Sequence, residues 1–157
     1  MVILELLVFL IIVILISFSF SGIGSLISFD KKSDFFINIF FGFIATSLLV
    51  TFIHFFFKIN FLISGSIFLL GIISFFWKKK YLILFEKKTF ILFFIVTFLL
   101  LPICISQKYH EDFGYYHLPY SLAFIEEKIV FGFANIEIAN VYNSIWLNLY
   151  PIFFIEN

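Results

Sequence analysis

Between His110 and Tyr120 the sequence reads His-Glu-Asp-Phe-Gly-Tyr-Tyr-His-Leu-Pro-Tyr, a crowding of carboxylates, imidazoles and phenols found nowhere else in the chain. Such a set suits the transfer of a group to a hydroxyl. One carboxylate can take the acceptor's proton, and Asp112 is the candidate general base. Glu111 beside it raises its proton affinity by like-charge repulsion. Adjacent residues point in different directions, so only one of the two faces a site. His110 and His117 can bind a phosphate, relay a proton or, His117 together with Asp112, ligate a divalent cation. Lys108 and Tyr109 can contact a phosphate at headgroup depth. Tyr and His also mark places where a helix leaves a bilayer, and an isolated Glu-Asp pair is read that way first. The context favours a site, because an amphipathic segment and an Asn-rich loop follow directly, and a mere helix end needs neither.

The elements that must position this stretch are set by composition. Of the 157 residues, 63% are hydrophobic, 24% are aromatic and only 13% are charged, about half the charged fraction of a soluble domain. The chain is therefore expected to be an all-α polytopic membrane protein, with membrane lipids as its surroundings. The net charge is zero, and no clustered basic face argues for a nucleic-acid partner. The single cysteine, Cys104, lies in an apolar tract, so it reads as a packed or lipid-facing residue and rules out an internal disulfide.

Four spans are expected, each near the ~20 residues that cross a hydrocarbon core. Val2 to Phe20 is the first. A signal peptide is the competing reading, but a basic n-region is missing and Glu5 stands in its place. Ser21 to Asp34 mixes Gly, Ser and a charged run and reads as a polar loop. The second span, 35–57, carries Gly42 and Thr46 one turn apart, where another helix can approach. His54, a turn before Lys58, reads as an interfacial histidine, with a proton relay as the rarer alternative. Lys58-Ile59-Asn60 is a turn short enough to make an antiparallel hairpin with the third span, 61–77. Trp77 followed by Lys78, Lys79 and Lys80 is an interfacial aromatic and a positive stop. Tyr81 to Phe85 is too short to cross and is expected to lie along the interface. The fourth span is 89–106, with Pro102 near its end.

Lys31, Lys32, Lys78, Lys79, Lys80, Lys87 and Lys88 fall on one side of these spans, and Lys58 and Lys108 on the other. By the positive-inside rule the first side is cytoplasmic. The region 107–144 is then an outer-face loop. Within it Leu118, Leu122, Ile125 and Ile129 recur at helical spacing while Ser121, Glu126 and Lys128 take other faces, an amphipathic helix between Pro119 and Gly132 that lies in the membrane surface. Residues 145–157 read as the start of a fifth span that the chain does not complete, which suggests a carboxy-terminal truncation.

The pattern Asp112-x-Gly114-x-Tyr116-His117, then Gly132-Phe133-Ala134-Asn135 and Asn143-Ser144-x-Trp146, resembles uncharacterised bacterial polytopic proteins that are similar to the GT-C superfamily of glycosyltransferases. The resemblance implies a multi-pass protein of the bacterial inner membrane. Its sugar would come from a polyprenyl-phosphate donor in cell-envelope polysaccharide or glycolipid synthesis. The family's outer-loop acidic residue corresponds to Asp112, with Glu111 as the alternative. Tyr116, His117, His110, Lys108, Asn135 and Asn143 become candidate substrate contacts. The loop follows the fourth helix here and the first in the usual GT-C core, and the later core helices are absent. A fragment of this kind is expected to be inactive alone. Two other functions fit the same features: a polysaccharide polymerase or lipid-linked-sugar transporter, and a small non-enzymatic membrane subunit.

Overall fold

The computed structural model describes residues 2–28, 34–105, 122–123, 125–129 and 149–153. Among these residues the chain is helical, with no strand. The helices are α1 (Val2–Ile27), α2 (Phe35–Phe56), α3 (Phe61–Trp77), the single turn α4 (Tyr81–Leu84), α5 (Lys87–Ile105) and the short α6 (Tyr150–Phe153). α1 and α2 are long and apolar enough to cross a membrane, while α3 is an apolar helix of 17 residues.

Two compact units divide the chain, residues 1–45 with 68–108 and residues 46–67 with 109–157, so that α2 and α3 each contribute to both. In the first unit, α1 is held between two neighbours by backbone contact. Gly22 lies against Gly71 of α3, and a Cβ on either residue would overlap main chain or the Ser19 hydroxyl of the other helix. Gly24 lies against Asn38 and Gly42 of α2, and Gly42 in turn lies against the Phe20 carbonyl. Residues 22 and 24 are about 200° apart around a helix of 3.6 residues per turn, which is why they meet different partners. Along α1 from Phe20 to Gly24 the partner on α2 moves back from Gly42 to Asn38, so these two helices run antiparallel.

This arrangement corrects the boundary of the first span. The Ser- and Gly-rich stretch after Phe20 is not a loop but helix as far as Ile27, and Ser19, Ser21 and Ser25 are buried in it. Small polar residues are read as loop formers in water. In an apolar surrounding they mark where helices touch, because they allow close approach and a hydroxyl can be satisfied within its own helix. Ser25 Oγ donates to the Gly22 carbonyl at 2.6 Å, and Thr97 Oγ1 does the same to Phe93 at 2.9 Å.

An aromatic cluster closes the same unit near the first turn of α2. Phe35, Phe75, Leu84 and Phe93 are buried there, with Phe18, Phe36, Tyr81 and Ile83 packed around them. Phe18 stacks on Phe75 with ring centroids 4.5 Å apart, and Phe35 meets Phe93 edge-on at 5.7 Å. Each such pair adds about 0.5 to 1.5 kcal/mol beyond burial of its area. Tyr81 to Phe85, expected at the interface, is the α4 turn, and it is tied to the cluster through Leu84.

The turns are set by identifiable caps. Asp34 Oδ1 accepts the Phe36 amide at 2.8 Å and starts α2, and Asn60 Oδ1 accepts the Ile63 amide at 3.0 Å and starts α3. α3 ends in a Schellman motif: the Lys80 amide donates to the Phe75 carbonyl and the Lys79 amide to the Phe76 carbonyl. The residue in the left-handed conformation is Lys79, at φ 53°. Glycine is the usual occupant, and a side chain there costs about 1 to 2 kcal/mol.

The glycine contacts differ sharply in consequence. Gly42→Ala is expected to lower the thermal stability of the solubilised protein by about 1 to 3 kcal/mol, because α1 must move away. Gly65 has open space where its Cβ would stand, so Gly65→Ala should be neutral or stabilise by up to about 1 kcal/mol. Equal responses in a melting series would contradict the close crossing.

Candidate functional site

The residues expected to do chemistry, Lys108, His110, Glu111, Asp112, Tyr116, His117, Asn135 and Asn143, lie outside the described residues. So do Tyr109 and the start of the expected amphipathic helix. Of the expected fifth span, the described part is α6 with Leu149 before it, and Leu149 and Ile152 are buried. Among the described residues, no group of three or more His, Cys, Asp or Glu side chains is placed to hold a metal ion.

What is described is how the chain beyond the His110 to Tyr120 stretch is attached, and this falls wholly within the second unit. His54, in the last turn of α2, is fully buried. Its Nε2 lies 2.8 Å from the carbonyl oxygen of Glu127. A carbonyl can only accept, so Nε2 carries the proton and donates it. The main chain of the same residue completes the attachment, because the Ile129 amide donates to the His54 carbonyl at 3.0 Å. The last carbonyls of a helix have no partner within it, and Ile129 supplies one for His54.

The two bonds have a simple geometric origin. Leu122, Ala123, Ile125 and Glu126 are helical, and the Glu127 amide still donates to Ala123. Beyond Glu127 the helix stops. Glu127 and Ile129 present an acceptor and a donor together, and His54 answers both, its ring at the carbonyl and its own carbonyl at the amide. Ile125 is buried in this unit, while Glu126, Glu127 and Lys128 are exposed.

One sequence expectation changes accordingly. Ile129, expected as the last residue of a helical apolar stripe, has left the helix to pair with α2; the unsatisfied end of α2 outcompetes one more helical turn. His54, read as an interfacial histidine, is a buried donor whose acceptor lies 73 residues further along the chain. An ionisable residue in an apolar helix is a signal for a specific partner. The identity of that partner has no periodic signature in the sequence.

His54→Phe keeps a ring of similar size and removes the donor, so the Glu127 carbonyl loses its hydrogen bond to α2. Loss of a partly buried bond costs about 0.5 to 1.5 kcal/mol. Hydrogen exchange at the Ile129 amide is expected to accelerate by about two- to tenfold as the segment opens more often. An unchanged rate would show that other contacts hold it.

Neither a curated protein nor a solved structure matches the chain. The family described as "Domain of unknown function (DUF8201)" has a model that matches residues 1–155, and the chain belongs to that family.

Proposed function

We propose that this chain is a multi-pass part of a membrane glycosyltransferase that takes a sugar from a polyprenyl-phosphate donor. In this reading α1, α2, α3 and α5 are four spans of a bacterial inner-membrane protein, and α4 lies at the cytoplasmic face with Lys78 to Lys80, Lys87 and Lys88. The 107–144 region is then on the outer side, with its amphipathic helix in the membrane surface. The distribution of residue types supports the membrane assignment. Leu4, Ile11, Leu48, Phe52, Leu69 and Leu99 are exposed, while Ser19, Ser21, Asn38, Thr46 and Ser64 are buried, the reverse of a protein that faces water.

The observation that carries the functional reading is the cluster Lys108 to His117 directly after the apolar α5, with the chain beyond it fastened to α2 through His54. In this reading the loop meets the membrane surface, the depth at which the headgroup phosphates of a lipid-linked donor lie.

The chemistry then runs through the side chains of the loop. Asp112 accepts the proton of an acceptor hydroxyl as its oxygen attacks the anomeric carbon. The new carbon–oxygen bond forms as the bond from that carbon to the donor's phosphate oxygen breaks, and polyprenyl phosphate departs with the bonding electrons. Lys108, His110, Tyr116 and His117 donate hydrogen bonds to the phosphate. Asn135 and Asn143 bind hydroxyls of the sugar or its acceptor.

The test uses the complete gene product in membrane vesicles, supplied with a panel of radiolabelled polyprenyl-phosphate sugars. Asp112→Asn is expected to reduce transfer by about 10² to 10⁴-fold at an unchanged amount of inserted protein, and Glu111→Gln to reduce it far less. Undiminished transfer by Asp112→Asn would remove Asp112 as the base.

A further inference from the structure

The connection from α3 to α5 exposes two kinds of side chain that water and hydrocarbon would each accept only in part. Trp77, Leu82 and Phe85 are exposed to 76%, 58% and 67%. Lys78, Lys79, Lys87 and Lys88 are exposed beside them, and Glu86 is the one carboxylate of the segment. These groups do not ride on a loose strand. Lys80 and Leu84 are buried, Leu84 in the aromatic cluster, and the Schellman bonds fix the turn before α4.

Lysine runs against local preference at two places, a left-handed turn position and the start of a helix. Lys79 occupies the left-handed position where glycine is free of steric cost. Lys87 and Lys88 begin α5, the end of a helix at which cations are disfavoured. Neither placement helps the turn or the helix to form. An anion over this surface offsets both costs through the ammonium groups, and a residue held in a sparsely populated conformation is a reason to look for such a function.

We infer that Trp77 to Lys88 is a docking surface for the headgroups of anionic phospholipids. The inference rests on the four-span reading above, in which apolar helices enter the membrane on both sides of the segment. Its ligand must therefore be present at headgroup depth. A phosphodiester anion with attached acyl chains meets both halves of the surface: the ammonium groups donate to phosphate oxygens, and Leu82 and Phe85 reach the acyl boundary. Trp77 is amphipathic and sits between the two layers. A soluble acidic protein or a nucleic acid would answer the lysines and leave the apolar half uncovered.

The 157-residue chain with Trp146→Phe retains Trp77 as its sole tryptophan. It is reconstituted into phosphatidylcholine vesicles containing, at equal mole fraction, either dibrominated phosphatidylglycerol or dibrominated phosphatidylcholine, and quenching of Trp77 fluorescence reports which lipid is its neighbour. Phosphatidylglycerol is expected to quench as though enriched about fivefold around Trp77, the factor that a single lysine near an anionic surface supplies. High salt should abolish the difference. Replacing Lys78, Lys79, Lys87 and Lys88 with Gln should abolish it as well, and if that variant fails to insert, the salt series on the parent decides. Lys79→Gly should raise the melting temperature while lowering the enrichment, whereas a lysine with a purely structural role would change stability alone. Equal quenching by the two lipids would overturn the headgroup site and leave the four spans standing. Absence of quenching by either lipid would overturn both.

Discussion

The fold of the first unit depends on the contact of bare backbone with backbone along α1. Gly22 against Gly71 and Gly24 against Gly42 bring α1 to two helices at once, on opposite sides, within a single helical turn. In water such crossings would be secondary to the burial of large side chains. Among apolar helices in an apolar medium, burial of large side chains offers little difference between helix and lipid, so closeness of approach decides which faces meet. Ser19, Ser21 and Ser25 are buried for the same reason: they are small enough to lie where helices approach closely.

Phenylalanine then fills what the glycines leave open. Next to these crossings Phe18, Phe35, Phe75 and Phe93, from α1, α2, α3 and α5, meet in stacked and edge-on pairs. α4 is too short to be stable alone and is kept in place because Leu84 joins that cluster. The cluster therefore does more than pack four helices. It fixes the chain reversal between Trp77 and Lys87, whose exposed side chains would otherwise have no defined arrangement.

Some of this was legible in the residues and some was not, for physical reasons. The helices α2, α3 and α5 follow from uninterrupted apolar runs bounded by Lys, Asp or Asn, and their boundaries fall within two residues of those expected from the sequence. The extent of α1 was misjudged because Ser and Gly have two meanings, loop formers in water and contact residues between helices, and composition does not say which medium applies. Gly42 was recognised as a small residue on a contact face, yet its partner, the Phe20 carbonyl, is backbone and carries no sequence signal. The same is true at His54. Its side chain stands out in an apolar helix, but the groups it meets at Glu127 and Ile129 are main-chain atoms. The candidate catalytic residues are legible only as a cluster of types in sequence, since they lie beyond the described residues.

That attachment through main-chain atoms has an evolutionary consequence. The two bonds that join His54 to the segment 127–129 use a carbonyl and an amide hydrogen of that segment. A change of charge or size at residues 127 and 128 leaves both of these main-chain groups in place. Position 54 must keep a side chain that can donate at the same reach, and position 129 can accept almost any residue except proline. A loop fastened in this way can change its surface, and with it the molecules it meets, while its anchor point stays where it is.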